Sequence, residues 1–560
     1  MGAEPFGETR LDGRARWSLV CLTLGIALVA EGVVAERFGV GGRFAFGWGR
    51  FGLIAVGGAL VLAGVVMVVK GWVPRPGRAT IVHVGRTLWP FAAALAVYMS
   101  AFVIMQPITV GDQPHYELES MSLAFDHDRN LANNYVNPAQ YHIMFGLQVP
   151  KYEAYAYTNR HALIFDENVG LPLVLALGVP WVELAESYAP RSAQFYIYAP
   201  LSARSPWNIE IVILAAIAAH VLYRLLRRFR PGEPGLTVAV WACTMFCAPM
   251  MVYASQIYPE VPVLLLALIT ADCLTRTPTA ASGAIGATAA AAMPWLHVRF
   301  FLVAALLVLA LAARAIAHQR SLGRPPGSLV KVALPVLLPF VVSTAAMAIA
   351  FQAWYGSPLI TAPYRLAQTH QPQALANLYP SITNLILNPQ TAALPFAPVG
   401  LLALAAIPLF CRRFGRWALF ALFVAAVYIV AVAFEGATIG SSFPGRYMIW
   451  LLPFGAVPLL FIVIEFRLAR LIFVFLGCVT AEISLAVVLE PAGSVSAVTT
   501  SRSAWTGLVN IWPTIDAAHP YANAATIIAW AAGVVLAAAV AYVAGARRGP
   551  GIRPARPLSP

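Results

Sequence analysis

The chain is divided by a succession of apolar stretches, each about as long as a helix needs to be to cross a bilayer. Crossing the hydrocarbon core takes about 20 mostly apolar residues. Stretches of that kind fall at 18–35, 51–69, 87–107, 208–226, 236–253, 258–275, 280–296, 300–318, 329–353, 396–411, 417–434, 447–464, 471–489 and 524–544. Inside lipid the backbone must satisfy its own hydrogen bonds, so such stretches are helices. The expected fold is therefore an all-α polytopic membrane protein with about 14 transmembrane helices. Composition agrees, with 60% hydrophobic residues and 11% charged, against about 25% charged in a soluble domain.

Charge sets the orientation. Basic residues favour the cytoplasmic side of a membrane protein. With a cytoplasmic N-terminus, the loops on that side hold most of the 37 basic residues, among them the runs Arg224, Arg227, Arg228 and Arg230, then Arg412, Arg413 and Arg416, then Arg547, Arg548, Arg553 and Arg556. A further apolar stretch, 169–185, is short and interrupted by Pro172 and Pro180. If it crossed, every later loop would invert and these arginine runs would lie outside. It is therefore expected to be re-entrant, or to lie on the membrane among external helices.

The resulting organisation is 1–107 as N-terminal transmembrane helices and 108–207 as a large first external loop. A transmembrane core follows over 208–545, with external loops 354–395 and 490–523, and then a basic cytoplasmic tail, 546–560. Both termini are expected in the cytoplasm of an inner (plasma) membrane protein. The net charge of +13 is scattered between apolar spans, which argues against a nucleic-acid partner. The cysteines Cys21, Cys243, Cys247, Cys273, Cys411 and Cys478 form no CxxC pair and read as small buried hydrophobes. There is no His-Glu-x-x-His, no Walker loop, and no GxGxxG that opens a helix after a strand. Glu31, Asp272 and Glu482 lie within or near the ends of spans, where acids are functional candidates by default; Asp272 and Glu482 also read as helix-end or helix-pairing groups.

Chemistry is expected on the external side, where irregular backbone meets water. Directly after the third span comes Gly111-Asp112-Gln113-Pro114-His115-Tyr116-Glu117-Leu118-Glu119. Pro114 suits a first helical turn, and Asp112 sits where an N-cap would be. On that helix Asp112, His115, Tyr116 and Glu119 share one face, and Leu118, Met121 and Phe125 another. This reads as an amphipathic surface helix with its polar side toward water. Asp112 is then either a cap or a reactive carboxylate.

Four further segments join it on the same side: Tyr253-Ala254-Ser255-Gln256-Ile257-Tyr258-Pro259-Glu260, Pro294-Trp295-Leu296-His297-Val298-Arg299-Phe300, Tyr355-Gly356-Ser357-Pro358 and Pro444-Gly445-Arg446-Tyr447. In order and placement, these and the first external loop resemble a group of bacterial membrane glycosyltransferases of the GT-C superfamily. Their relatives are the protein O-mannosyltransferases and the lipid A aminoarabinose transferases.

The resemblance implies a GT-C type fold and an inverting transfer of a sugar from a polyprenyl-phosphate donor to an acceptor hydroxyl. The acceptor would be a glycan, a lipid or a protein, outside the membrane, in cell-envelope synthesis. It makes Asp112 the catalytic base. Relatives often carry Asp-Glu where this chain has Asp112-Gln113, which removes one carboxylate. A divalent metal is left open as a cofactor.

A phosphate leaving group calls for cations near span ends, and Arg299, Arg446 and Arg365 are placed to bind it. His115, Tyr116, Glu260 and His297 are the candidate substrate-binding residues. Each has a plainer reading. Glu260 opens a helix, where the dipole favours an acid. Arg299 could snorkel to the interface beside Trp295. Arg446, at the start of a helix, is electrostatically awkward unless it pairs with an anion. The histidines suit interfacial packing. Two other activities fit a chain of this build, a flippase or transporter and a polymerase or ligase of lipid-linked glycans. No two-fold internal repeat of the kind transporters show is visible.

Overall fold

The computed structural model describes residues 81–105, 112–136, 155–157, 162–165, 168–182, 205–363, 375–387, 392–434 and 445–489. The chain divides into two compact units, Met1–Ala96 and Val97–Pro560. Of the first, only 81–96 is described.

Helix dominates the described residues. In chain order the elements are α1 Ile81–Met105, α2 Gln113–Met121, α3 Ala132–Val136, a hairpin of β1 Tyr155–Tyr157 and β2 Leu163–Phe165, and α4 Gly170–Ala176. Then come α5 Ser205–Phe229, α6 Pro234–Met245, α7 Ala248–Tyr253, α8 Glu260–Thr275, α9 Ala280–Leu296, α10 Phe301–Ser321 and α11 Pro326–Tyr355. The last group is α12 Leu375–Leu387, α13 Val399–Ala405, α14 Ile407–Phe414, α15 Arg416–Phe434, α16 Leu452–Glu465 and α17 Arg467–Leu489.

Among the described residues six helices are long and apolar enough to cross a membrane. Three of the expected stretches, 18–35, 51–69 and 524–544, lie outside the described residues, as does the tail 546–560. Each of the others falls on helix. Several of these helices turn a large apolar face outward. On α11, Val330, Leu334, Leu338, Val341, Val342 and Ile349 are exposed, a stripe that water would not tolerate and lipid would.

Two expected spans are broken. The stretch 236–253 divides into α6 and α7, with Cys247 extended between them and Pro249 in the first turn of α7. Proline has no N–H to give the preceding turn. The stretch 396–411 divides at Ala406, before Pro408, where the backbone stays right-handed rather than extended.

The centre of the bundle is α9, which packs against α8, α10 and α11. Its sequence is built of small residues, so neighbouring backbones can approach closely. Thr270 on α8 donates to the Gly286 carbonyl at 3.1 Å. A Cβ on Gly286 would meet the Cys273 side chain at 2.9 Å. Thr279 and Ser282 form a capping box at the start of α9, closing two otherwise unpaired N–H groups.

The bundle has two polar ends, one at each end of α8. At the C-terminal end Asp272 pairs with Arg228 of α5 and with Arg276. Beside it, Glu465 receives Arg413 at 2.9 Å and Arg230 at 3.3 Å. So Asp272 is a helix-pairing acid, while Glu482 lies exposed on α17. No cysteine among the described residues is paired. Cys247 and Cys273 are buried as expected, but Cys478 is exposed, on the outward face of α17.

At the N-terminal end of α8 lie the segments of the first loop. Helix α4 is by itself too short to cross a bilayer. It packs onto the end of α9, where Asn168 donates to the Pro294 carbonyl. Trp207 Nε1 also donates to Leu175 O at 2.9 Å. Gly170 permits this approach, since a Cβ there would stand 2.4 Å from the Trp295 carbonyl oxygen. Neither backbone can yield cheaply. Gly170→Ala is expected to destabilise the protein by about 1–3 kcal/mol. It should lower the apparent melting temperature in detergent, while Gly235→Ala, with nothing within 4 Å of the added carbon, should not.

Candidate functional site

Helix α2 is where the sequence reading and the structure part. His115, Tyr116, Glu117, Leu118, Glu119, Ser120 and Met121 are all buried. The expected surface helix with its polar side in water is instead enclosed on both faces. The hairpin and α4 pack on it: Phe165 lies 5.1 Å from the His115 ring and 5.4 Å from that of Tyr116. The alternation of polar and apolar residues was real. The polar face looks onto other protein groups rather than solvent.

Asp112 stands at the N-cap position of α2, yet its side chain makes no capping hydrogen bond. It accepts from Arg446 Nη1 at 3.1 Å. The Nε of the same guanidinium donates to Glu260 Oε1 at 3.0 Å. Three segments far apart in sequence thus meet on one cation. Arg446 is buried, with its guanidinium carbon 3.9 Å from the Tyr258 ring centroid and 5.5 Å from that of Tyr447. Burial works against the charge, but Glu260 first, then Tyr447 and Asp112, hold the pKa above the ordinary arginine value.

Local geometry delivers this side chain. Gly445 has φ +88°, a left-handed conformation that glycine adopts without a steric penalty. A Cβ there would lie 3.0 Å from Ala393. The 3₁₀ turn Arg446–Met448 follows, and Tyr428 Oη donates to the Tyr447 carbonyl at 2.8 Å.

A second guanidinium lies against the same tyrosine. Arg299 is 4.9 Å from the Tyr447 ring centroid. It is buried and so does not snorkel outward. His297, just beyond the end of α9, accepts from Arg299 Nε through Nδ1 at 2.9 Å. It also accepts from the Arg299 backbone N–H at 3.3 Å. His297 is therefore placed to orient Arg299.

A second buried ion pair holds the other end of α2. Glu119 pairs with Arg129, whose Nη1 donates to Tyr355 Oη at 3.2 Å. The guanidinium sits 4.5 Å from the Trp354 ring centroid. Burial opposes the cation here as well. Glu119 and Tyr355 prevail and raise its pKa. Through Tyr355 the segment 355–358 reaches the first loop.

All five sequence segments therefore gather at one end of the bundle. Of the candidate residues, Asp112, Glu260, Arg446, Arg299 and His297 converge. His115 and Tyr116 pack beneath them against Phe165. Arg365 lies outside the described residues. No cluster of three or more His, Cys, Asp or Glu side chains able to hold a metal occurs among the described residues. The guanidinium of Arg446 lies between the two carboxylates.

Sequence reasoning missed Tyr258, Tyr447 and Arg129. The first two stand beside residues it did select, in Tyr258-Pro259-Glu260 and Arg446-Tyr447. Arg129 left no such signal. The departure at Gln113 has a local reason: it is buried and its Oε1 accepts from the Ile257 N–H at 3.0 Å. A carboxylate there would add a further buried negative charge next to Asp112.

Compared with protein-family models, with curated proteins and with solved structures, the chain matches none.

His115 offers a pH test of the packing. Burial first, opposed by the charge of Asp112, lowers its pKa to about 4. The unfolded imidazole takes its proton near pH 6.5. Stability is thus complete above about pH 6.5 and falls as pH drops toward 4, by up to about 3 kcal/mol. In His115→Gln that acid-side loss should shrink, as read by thermal unfolding at pH 4.5 and pH 7.5.

Proposed function

We propose that the protein is an integral membrane glycosyltransferase of the GT-C type. In this reading about 14 helices cross the plasma membrane, with both termini cytoplasmic. The basic ends of the helices, around Asp272 and Glu465, face the cytoplasm, and the Asp112–Arg446–Glu260 end faces outward. A sugar on a polyprenyl phosphate enters from the outer leaflet. It is passed to a hydroxyl on a glycan, lipid or protein acceptor in envelope synthesis.

The observation that carries the reading is the meeting of Asp112 with Arg446, beside Arg299, at one end of an apolar helical bundle. A lipid-linked sugar phosphate presents an anion at the membrane surface and a carbon open to attack just above it. The site offers matching groups at one end of the helices. Two guanidinia stabilise the charge that develops on the leaving phosphate. Asp112, whose side chain is 37% exposed, is within reach of an incoming hydroxyl.

The step balances simply. The acceptor oxygen bonds to the anomeric carbon as the bond from that carbon to the phosphate oxygen breaks. The electron pair of the broken bond stays on the phosphate. The hydroxyl proton goes to the Asp112 carboxylate and then to solvent or the released phosphate. Attack opposite the leaving group inverts the anomeric centre. Glu260 and His297 hold the two arginines rather than the sugar.

The test is release of polyprenyl phosphate from synthetic polyprenyl-phosphate sugars by the purified protein in lipid, with acceptor supplied. Asp112→Asn should slow release by at least about a hundredfold while the protein remains folded. Unchanged release in that variant would remove Asp112 as the base. No release with any such donor, from a protein that still binds lipid-linked glycans, would favour a flippase or a polymerase.

A further inference from the structure

We infer that the two carboxylates on Arg446 play unequal parts: Glu260 positions the guanidinium permanently, and Asp112 holds it only until the donor phosphate displaces it. The inference rests on the transferase reading above and adds an order of events to it.

The asymmetry is in the burial. The Glu260 side chain is 1% exposed and that of Asp112 is 37% exposed, on the same guanidinium. Separating Arg446 from Glu260 would strand two buried charges, which is costly. The second Glu260 oxygen, Oε2, is buried without a hydrogen-bond partner, so this carboxylate depends on Arg446. Asp112 is different. It can turn from Arg446 into solvent and be hydrated at once, and ion pairs at such exposure are weak. No capping bond ties it to α2.

The guanidinium itself has little reason to move. Nε is fixed by Glu260, and the Tyr258 ring lies 3.9 Å from its central carbon. What can change is the group on Nη1. A phosphate bearing one negative charge can replace one carboxylate there without altering the charge balance around Arg446. Phosphate also suits the fork of N–H donors better than a single carboxylate oxygen does.

The consequence is a gate. Without donor, the Asp112 carboxylate is held on Arg446. With donor bound, Arg446 is on the phosphate and the Asp112 carboxylate is released toward the acceptor. Donor then binds before the acceptor is activated. Glu260 is a positioning residue, since it acts through Arg446 and need not touch either substrate.

The experiment is binding of farnesyl phosphate, and of farnesol as the phosphate-free control, to the full-length protein in lipid nanodiscs. Asp112→Asn removes the competitor and should bind farnesyl phosphate about three- to tenfold tighter than wild type. Glu260→Gln should bind it at least about tenfold more weakly. Both variants should bind farnesol as the wild type does. Equal or weaker binding of farnesyl phosphate in Asp112→Asn overturns the inference while leaving the transferase reading in place. That arm decides alone if Glu260→Gln does not fold. A wild type that does not prefer farnesyl phosphate to farnesol overturns both.

Discussion

A guanidinium buried at Arg446 organises one end of this protein. A charge in that position is tolerated only when it is paired and hydrogen-bonded. Its partners come from the start of α2 and the start of α8, at Asp112 and Glu260. The left-handed Gly445 and the close approach of Ala393 aim the side chain. Helix α2 is then held twice, by Arg446 at its N-cap residue Asp112 and by Arg129 in its last turn. A nine-residue helix has little stability of its own, so these two cations and the packing of Phe165 fix where it lies.

Helix positions were legible because lipid-length apolar stretches leave few alternatives. The breaks inside them were less so. Pro249 and Pro408 are visible in the sequence, but proline is common in transmembrane helices that continue through it. Pro335 and Pro339 lie inside unbroken α11. What differs is not the residue. At 247 the chain turns extended before resuming, and that depends on what α7 packs against.

The site was legible in its parts and not in its assembly. Asp112, Glu260, Arg299 and Arg446 could be selected because acids and arginines next to apolar spans need a reason to be there. The Arg446–Asp112 pair joins residues 334 apart, and no local pattern encodes it. The error over α2 has the same root. Periodicity reports that a helix has two different faces, not what each face meets. Here the polar face meets Phe165 and Arg129, so His115 and Glu119 are enclosed. The awkwardness of Arg446 at a helix start was the better clue, because it concerned energy rather than pattern.

The two ends of α8 differ in how their charges are balanced. At the Asp272 end, one acid carries two arginines, and Glu465 repeats the arrangement with Arg230 and Arg413. Those clusters carry excess positive charge on partly exposed side chains, which suits a helix end set against an anionic membrane surface. At the Glu260 end the proportion reverses, with two acids on one buried arginine. A cation shared by two acids of unequal exposure can give up the exposed one to another anion at small cost. A single acid bracketed by arginines has no comparable exchange to make. The capacity to release a carboxylate, rather than the number of charges, is what distinguishes the Glu260 end from the Asp272 end.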